Sequence, residues 1–319
     1  MALTTENEHR TDPQVPGSLE GMSAAAEGSH AAEPVGAGAN GAGVTDAAAA
    51  PDGNRSIHAD PPVPGVPAID LQSVVKTYDR TRVVDAVTAQ IPAGGVTSII
   101  GPNGAGKSTL LSMVGRLLQA DGGTIAVGGQ DVFASDTREL ARRLAVLRQE
   151  NTTTVRLTVW DLVSFGRFPH HGGRPGPDDE RLVSQALGYM DLHPFAGRYL
   201  DELSGGQRQR AYIAMVLAQD TDVLLLDEPL NNLDMKHAVE MMRLIRRMAD
   251  ELGKTVVIVI HDINFASCYS DTILAMKSGK LVHQGSPDEL MCSETLKDIY
   301  DVDILVEEIR GKKIGIYFS

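Results

Sequence analysis

Gly101-Pro102-Asn103-Gly104-Ala105-Gly106-Lys107-Ser108 follows the apolar run Val96 to Ile100 and opens a segment of helical periodicity, Lys107 to Gln119. Strand, glycine loop and helix in that order form a phosphate cradle. Glycines let backbone N–H groups turn inward, and the helix start adds partial positive charge. The spacing G-x-x-x-x-G-K-S places Lys107 at β- and γ-phosphates and Ser108 on a magnesium ion, with Thr109 beside it. The helix is expected to turn Leu110, Leu111, Val114, Leu117 and Leu118 to one side.

Two further stretches carry chemistry. Val223 to Leu226 reads as a strand buried on both faces, and it delivers Asp227 and Glu228 to its carboxyl end, where ligands sit in open α/β sheets. Asp227 is placed to hold Mg²⁺ and Glu228 to take a proton from an attacking water; Asp-Glu-Pro would also serve as a simple helix cap. Ser204-Gly205-Gly206-Gln207 precedes a helical run to Ala218. Ser204 is a good N-cap, but two successive glycines suit an anion approaching the backbone.

Composition divides the chain. Met1 to Val66 is rich in Ala, Gly, Pro and Ser, contains no aromatic residue, and sets nine acidic residues against Arg10 and Arg55, a net charge of −7. Residues 1–66 are therefore expected to be a disordered tail reaching about 45 Å as a flexible coil. The remaining 253 residues carry the other −6 of the formal −13, which argues against a nucleic-acid partner. No basic start with an apolar run marks a secretory signal, and no apolar run approaches the ~18 residues of a membrane span. Cys268 and Cys292 suggest neither a disulfide framework nor a metal knuckle, so a cytosolic protein is expected.

From Ala68 onward strand-like and helix-like segments alternate, giving an α/β fold. Thr124 to Val127 and Val256 to Ile260 read as strands. Residues 157–217 are helical, apart from a polar loop at 170–177. Asp234 to Leu252 is a helix with Ala238, Met241, Leu244, Ile245 and Met248 on its core face, closed by Gly253. Ile304 to Ile309 and Ile314 to Phe318 read as a hairpin around Gly311.

Leu203-Ser204-Gly205-Gly206-Gln207, the glycine loop at 101–108 and the acidic strand at 223–228 together resemble the ATP-binding cassette ATPases over residues 67–319. The resemblance implies a P-loop NTPase core, an antiparallel β subdomain and a helical subdomain at about 151–218. It implies that Gln149 senses the γ-phosphate and Mg²⁺, that His261 contacts the γ-phosphate, and that Tyr78 stacks on adenine. It also implies that Asn231-Asn232-Leu233-Asp234 crosses a head-to-tail homodimer in which Ser204, Gly205, Gly206 and Gln207 grip the partner's ATP. The commoner form of that loop is Ser-Ala-Leu-Asp, matched here only at Leu233 and Asp234.

With no fused membrane span, the chain resembles importers built from separate subunits, acting peripherally on the cytoplasmic membrane face with permease subunits and, indirectly, a substrate-binding protein. Residues 156–162 with 165–170 resemble the importers of iron–siderophore complexes, haem and cobalamin, and residues 261–266 with the loop at 231–234 are most similar to the ferric siderophore branch, catecholate type foremost. Importers of haem or cobalamin, and soluble cassette ATPases without a transport role, stand as the alternatives. Trp160, Phe165 and Phe168, with Arg167 and His170 expected to be exposed among them, have the composition of an interface anchor, and the resemblance implies that this face meets the permease; the aromatics, Trp160 above all, would equally serve as the core of the helical subdomain. His170, His171 and His193 read as solvated loop residues rather than metal ligands.

Overall fold

Burial on both faces is what the apolar strands require, and two hydrophobic clusters supply it. The computed structural model describes residue 57 and residues 65–149 and 155–317. Its strands are β1 (Ile69–Tyr78), β2 (Thr81–Ile91), β3 (Gly95–Ile100), β4 (Gly122–Val127), β5 (Gln130–Asp131), β6 (Leu144–Leu147), β7 (Val223–Asp227), β8 (Thr255–Val259), β9 (Thr272–Lys277), β10 (Lys280–Gly285), β11 (Leu305–Ile309) and β12 (Lys312–Ile316). The central sheet runs β10-β9-β3-β8-β7-β6, parallel except where β10 pairs antiparallel with β9.

Along β7, Leu224 and Leu226 enter the larger cluster, while Val223 and Leu225 enter the smaller one; β8 divides Val256 and Ile258 from Val257 and Val259 in the same way. Alternate side chains leave a strand on opposite faces, so a continuous apolar run belongs in a sheet covered twice. Each such side chain stabilises the fold by about 1.5–3 kcal/mol on burial. Because β3, β8, β7 and β6 are parallel neighbours, the glycine loop, His261, Asp227 and Gln149 all emerge at one edge of the sheet.

A second, antiparallel sheet, β2-β1-β4-β5, forms the β subdomain. The helical subdomain comprises helices Val159–Phe165, Phe168–His171, Pro177–Tyr189 and Gly205–Ala218. The expected start of this subdomain, 151–154, lies outside the described residues. The amphipathic helix Met235–Leu252 buries all five residues of its expected stripe and ends at Gly253, φ 67°.

Three expectations need correction. The helix after the glycine loop ends at Val114, not at 119. Arg116 takes the left-handed conformation at φ 55°, and the Leu117 amide donates to the Ser112 carbonyl while that of Arg116 donates to Met113, the bond pair of a Schellman stop. Leu117 is consequently exposed instead of facing the core. The second hairpin strand is Lys312–Ile316, earlier than expected, and residue 318 lies outside the described residues. Finally, Ile57 falls within the stretch expected to be a tail, yet it is buried in the larger cluster. The rest of that stretch, 1–56 and 58–64, lies outside the described residues. Among the described residues no helix is long and apolar enough to cross a membrane.

Candidate nucleotide and hydrolysis site

The turn after β3 is fixed by its first glycine. Gly101 has φ 139°, and a Cβ there would stand 2.0 Å from the Met276 carbonyl oxygen, so no side chain fits. The chain then turns into the helix Lys107–Val114, whose N-cap, Gly106, supplies no capping side chain. The first helical N–H groups are therefore left for a ligand, and an anion is what that helix end attracts. Lys107 is buried at its base and donates to the carbonyls of Gly101 (2.9 Å) and Pro102 (3.0 Å). Burial pulls the Lys107 ammonium below its usual range, and the negative charges of Glu228 and Asp227 oppose that shift.

Ser108 Oγ donates to Asp227 Oδ1 at 2.8 Å. Burial pushes the Asp227 carboxyl above its ordinary value; the Ser108 bond opposes this and the neighbouring Glu228 charge adds to it. A carboxylate whose burial outweighs the neighbouring Lys107 charge, paired with a hydroxyl, fits the hard-oxygen set that magnesium takes. No cluster of three or more His, Cys, Asp or Glu side chains suited to a metal occurs among the described residues.

Next in sequence, Glu228 adopts φ 49° and is held by three side chains, two from the ends of neighbouring strands and one from its own turn. His261 Nε2, just beyond β8, lies 2.6 Å from Glu228 Oε1. Gln149 Nε2, just beyond β6, donates to Oε2 at 2.8 Å, and Asn231 Nδ2 donates to the same oxygen at 2.5 Å. Gln149 also lines a cavity of about 190 Å³ together with Asp227. The arrangement can hold a metal-bound triphosphate at the glycine loop and present an oriented carboxylate beside it.

The signature stretch is placed differently. Ser204 Oγ accepts from the Gln207 amide at 3.3 Å, and Gln207 Oε1 accepts from the Ser204 amide at 3.1 Å, a capping box at the start of Gly205–Ala218. Gly205 is exposed and lines a cleft of about 540 Å³ with Gln149, Glu228, Asn231 and Asn232. Gly206 is buried beneath the His237 ring, where a Cβ would stand 2.7 Å from Cδ2. Packing within this chain is thus a second reason for a glycine here, beside the approaching anion that the sequence leads one to expect. His237 Nδ1 donates to Asp234 Oδ1 at 2.7 Å, so the ring that covers Gly206 is anchored at the start of the helix Met235–Leu252. Sequence reasoning missed His237, and also Asn231 as a partner of Glu228. A signal for the second was present: Glu228-Pro229-Leu230-Asn231 is a tight-turn tetrapeptide with proline at its second position.

Tyr78, at the end of β1, is exposed, with Lys76 Nζ 5.6 Å from its ring centroid. Phe165 and Phe168 are exposed, and Trp160 packs against the larger cluster. Arg167, expected at the surface, is only 5% exposed. Its guanidinium donates to Asp179 at 3.0 Å and to the Ala218 carbonyl at 2.9 Å, and so ties the helical subdomain together. His170 shares that inward role through the Gln219 carbonyl, at 2.8 Å.

A parallel sheet with a phosphate cradle, an acidic strand end and an inserted helical subdomain defines a P-loop NTPase of the cassette type. The profile of the family described as ABC transporter matches residues 84–231. The chain is 53% identical over 251 residues to the petrobactin import ATP-binding protein YclP of Bacillus subtilis (strain 168), covering 79% of this chain and 100% of that protein. It is 40% identical over 231 residues to the ferric enterobactin transport ATP-binding protein FepC of Escherichia coli (strain K12), covering 72% and 85%. Among solved structures, the dimeric post-hydrolysis state of the ATP-binding cassette MJ0796 bound to ADP and Pi superposes with TM-score 0.62 at 30% identity, over 69% of this chain and 98% of that one. This chain belongs to the ATP-binding cassette transporter family, and it is an ATPase that binds ATP.

Proposed function

We propose that the chain is the ATP-binding subunit of an importer for ferric siderophores of the catecholate type, hydrolysing ATP to drive uptake through a separate permease. The observation that carries this reading is the match to a petrobactin import ATP-binding protein over that protein's whole length, with a Lys107, Ser108, Asp227, Glu228 and His261 set assembled at one sheet edge. The ferric enterobactin relative supports the same cargo class. The chain works as a head-to-tail homodimer at the cytoplasmic membrane face, and a substrate-binding protein delivers cargo to the permease.

Backbone amides of residues 101–108 bind the phosphates, and the Lys107 charge faces the β- and γ-groups. Tyr78 stacks on adenine. Ser108 and Asp227, with Gln149 nearby, would hold Mg²⁺, which would supply positive charge against that developing on the phosphate oxygens. Glu228 accepts the proton of the water that attacks the γ-phosphate, and His261 fixes the carboxylate's Oε1. Ser204, Gly205, Gly206 and Gln207 close on the partner's nucleotide, and exposed Phe165 and Phe168 receive the permease. Uptake of labelled ferric siderophores tests the reading in cells lacking this protein. Wild-type chain should restore uptake of a ferric catecholate and Lys107→Ala should not; restoration only of a hydroxamate, or of haem, would refute the assignment of cargo.

A further inference from the structure

We propose that Asn231 is a positioning residue for the hydrolytic carboxylate, holding Glu228 Oε2 from within the same chain. The proposal rests on the reading of Glu228 as general base. Glu228 and Asn231 are joined twice: the Asn231 amide N–H donates to the Glu228 carbonyl at 3.2 Å, and Asn231 Nδ2 donates to Oε2 at 2.5 Å. The intervening Pro229 fixes one backbone angle of this turn, and Asn232 follows in the left-handed conformation at φ 62°. The short side chain of residue 231 is thereby aimed back at residue 228.

A carboxylate oxygen offers about two lone-pair positions. On Oε2 the Gln149 and Asn231 amides fill both, while His261 engages Oε1. The three donors come from the ends of β6 and β8 and from the crossing loop, so they set the plane of the carboxylate. The remaining position on Oε1 is left for a water. Removing the Asn231 donor leaves Oε2 tethered by Gln149 alone, and the carboxylate can then rotate about its last bond. A base displaced by about 1 Å loses on the order of 10²-fold in rate. A partial release of one donor out of three should cost on the order of 10-fold in kcat.

Asn231 is exposed, so its replacement opens no cavity. The test compares Asn231→Leu, Asn231→Asp and Asn231→Gln with wild type and with Glu228→Gln, using purified full-length protein. Steady-state ATPase kinetics give kcat and KM, a titration gives ATP affinity, and thermal unfolding checks the fold. We expect Asn231→Leu to lower kcat about 10-fold, with KM and ATP affinity within two-fold of wild type. Asn231→Asp, which presents an acceptor to an acceptor, should lose at least as much. Asn231→Gln keeps the amide donor on a longer stem and should recover part of the loss.

Wild-type kcat in Asn231→Leu alongside an inactive Glu228→Gln would overturn this inference and leave the general-base reading standing. So would a defect confined to KM or ATP affinity, or equal losses in the Leu, Asp and Gln variants, which would assign Asn231 to loop shape alone. Wild-type turnover in Glu228→Gln would instead remove the base itself, and this proposal with it.

Discussion

Replacing Gly206 with alanine would place a methyl carbon 2.7 Å from His237 Cδ2 and 3.0 Å from Cγ. Carbon atoms prefer about 3.5–4.0 Å, so the new methyl is about 1 Å too close to an aromatic ring. The ring cannot simply swing away, because Nδ1 is bonded to Asp234 at 2.7 Å and the His237 amide donates to the same carboxylate at 2.8 Å. Overpacking of this kind costs about 1–3 kcal/mol. The alanine's better helix propensity returns up to about 1 kcal/mol. The net expectation is a destabilisation of about 1–2 kcal/mol, or about 2–8 °C in Tm for a folded part of this size. Thermal unfolding of Gly206→Ala, His237→Ala and the double variant measures it. The double variant should recover most of the loss, giving a coupling energy of about 1 kcal/mol. ATPase activity should fall in Gly206→Ala, because the signature helix start is pushed off the His237 ring. Unchanged stability of Gly206→Ala, or strictly additive effects in the double variant, would refute the packing argument.

Asp227→Asn should abolish magnesium-dependent turnover and yet stabilise the fold in metal-free buffer by on the order of 1 kcal/mol, read as a raised Tm, since a buried charge beside Glu228 is removed. The raised carboxyl value means the folded state takes up a proton before the unfolded one. In metal-free buffer Asp227 therefore contributes stability as pH falls from neutral toward the ordinary carboxylate range, and Asp227→Asn should lack that contribution in a pH series of melting curves. Phe168→Asp should cut ferric siderophore uptake and permease-stimulated turnover while basal ATPase stays within a few-fold, given that the ring is 56% exposed; loss of the fold would show that the ring serves the core. Ile57→Ala should cost about 2 kcal/mol in denaturant unfolding, as for other buried isoleucines, and an unaltered midpoint would show that this residue does not pack as described.

Much of the site was legible because its chemistry is local. Residues 101–108 name their ligand by spacing, and the apolar run before Asp227 places that carboxylate at a strand end. The convergence of Gln149, Glu228 and His261 was not legible from the residues themselves. It depends on β6, β7, β8 and β3 lying side by side, an order that no strand records in its own sequence. Arg167 was misread because arginine beside exposed phenylalanines looks like an interface anchor. Its partners, Asp179 and the end of the Gly205–Ala218 helix, are distant in sequence. The buried pair Lys254–Asp220, 3.4 Å apart, escaped notice for the same reason. Leu117 was misplaced because the apolar period runs on past Gly115, the helix C-cap, and it is the next residue, Arg116, that adopts the left-handed turn that stops the helix.

The central claim is that ATP is hydrolysed in a site shared by two copies of this chain. Sedimentation of Glu228→Gln with and without ATP, together with a count of bound nucleotide, tests it most directly. The account predicts monomers without ATP and, with ATP, a dimer holding two nucleotides that Ser204→Arg prevents. A variant that binds ATP but stays monomeric, or a dimer indifferent to ATP and to Ser204→Arg, would contradict it.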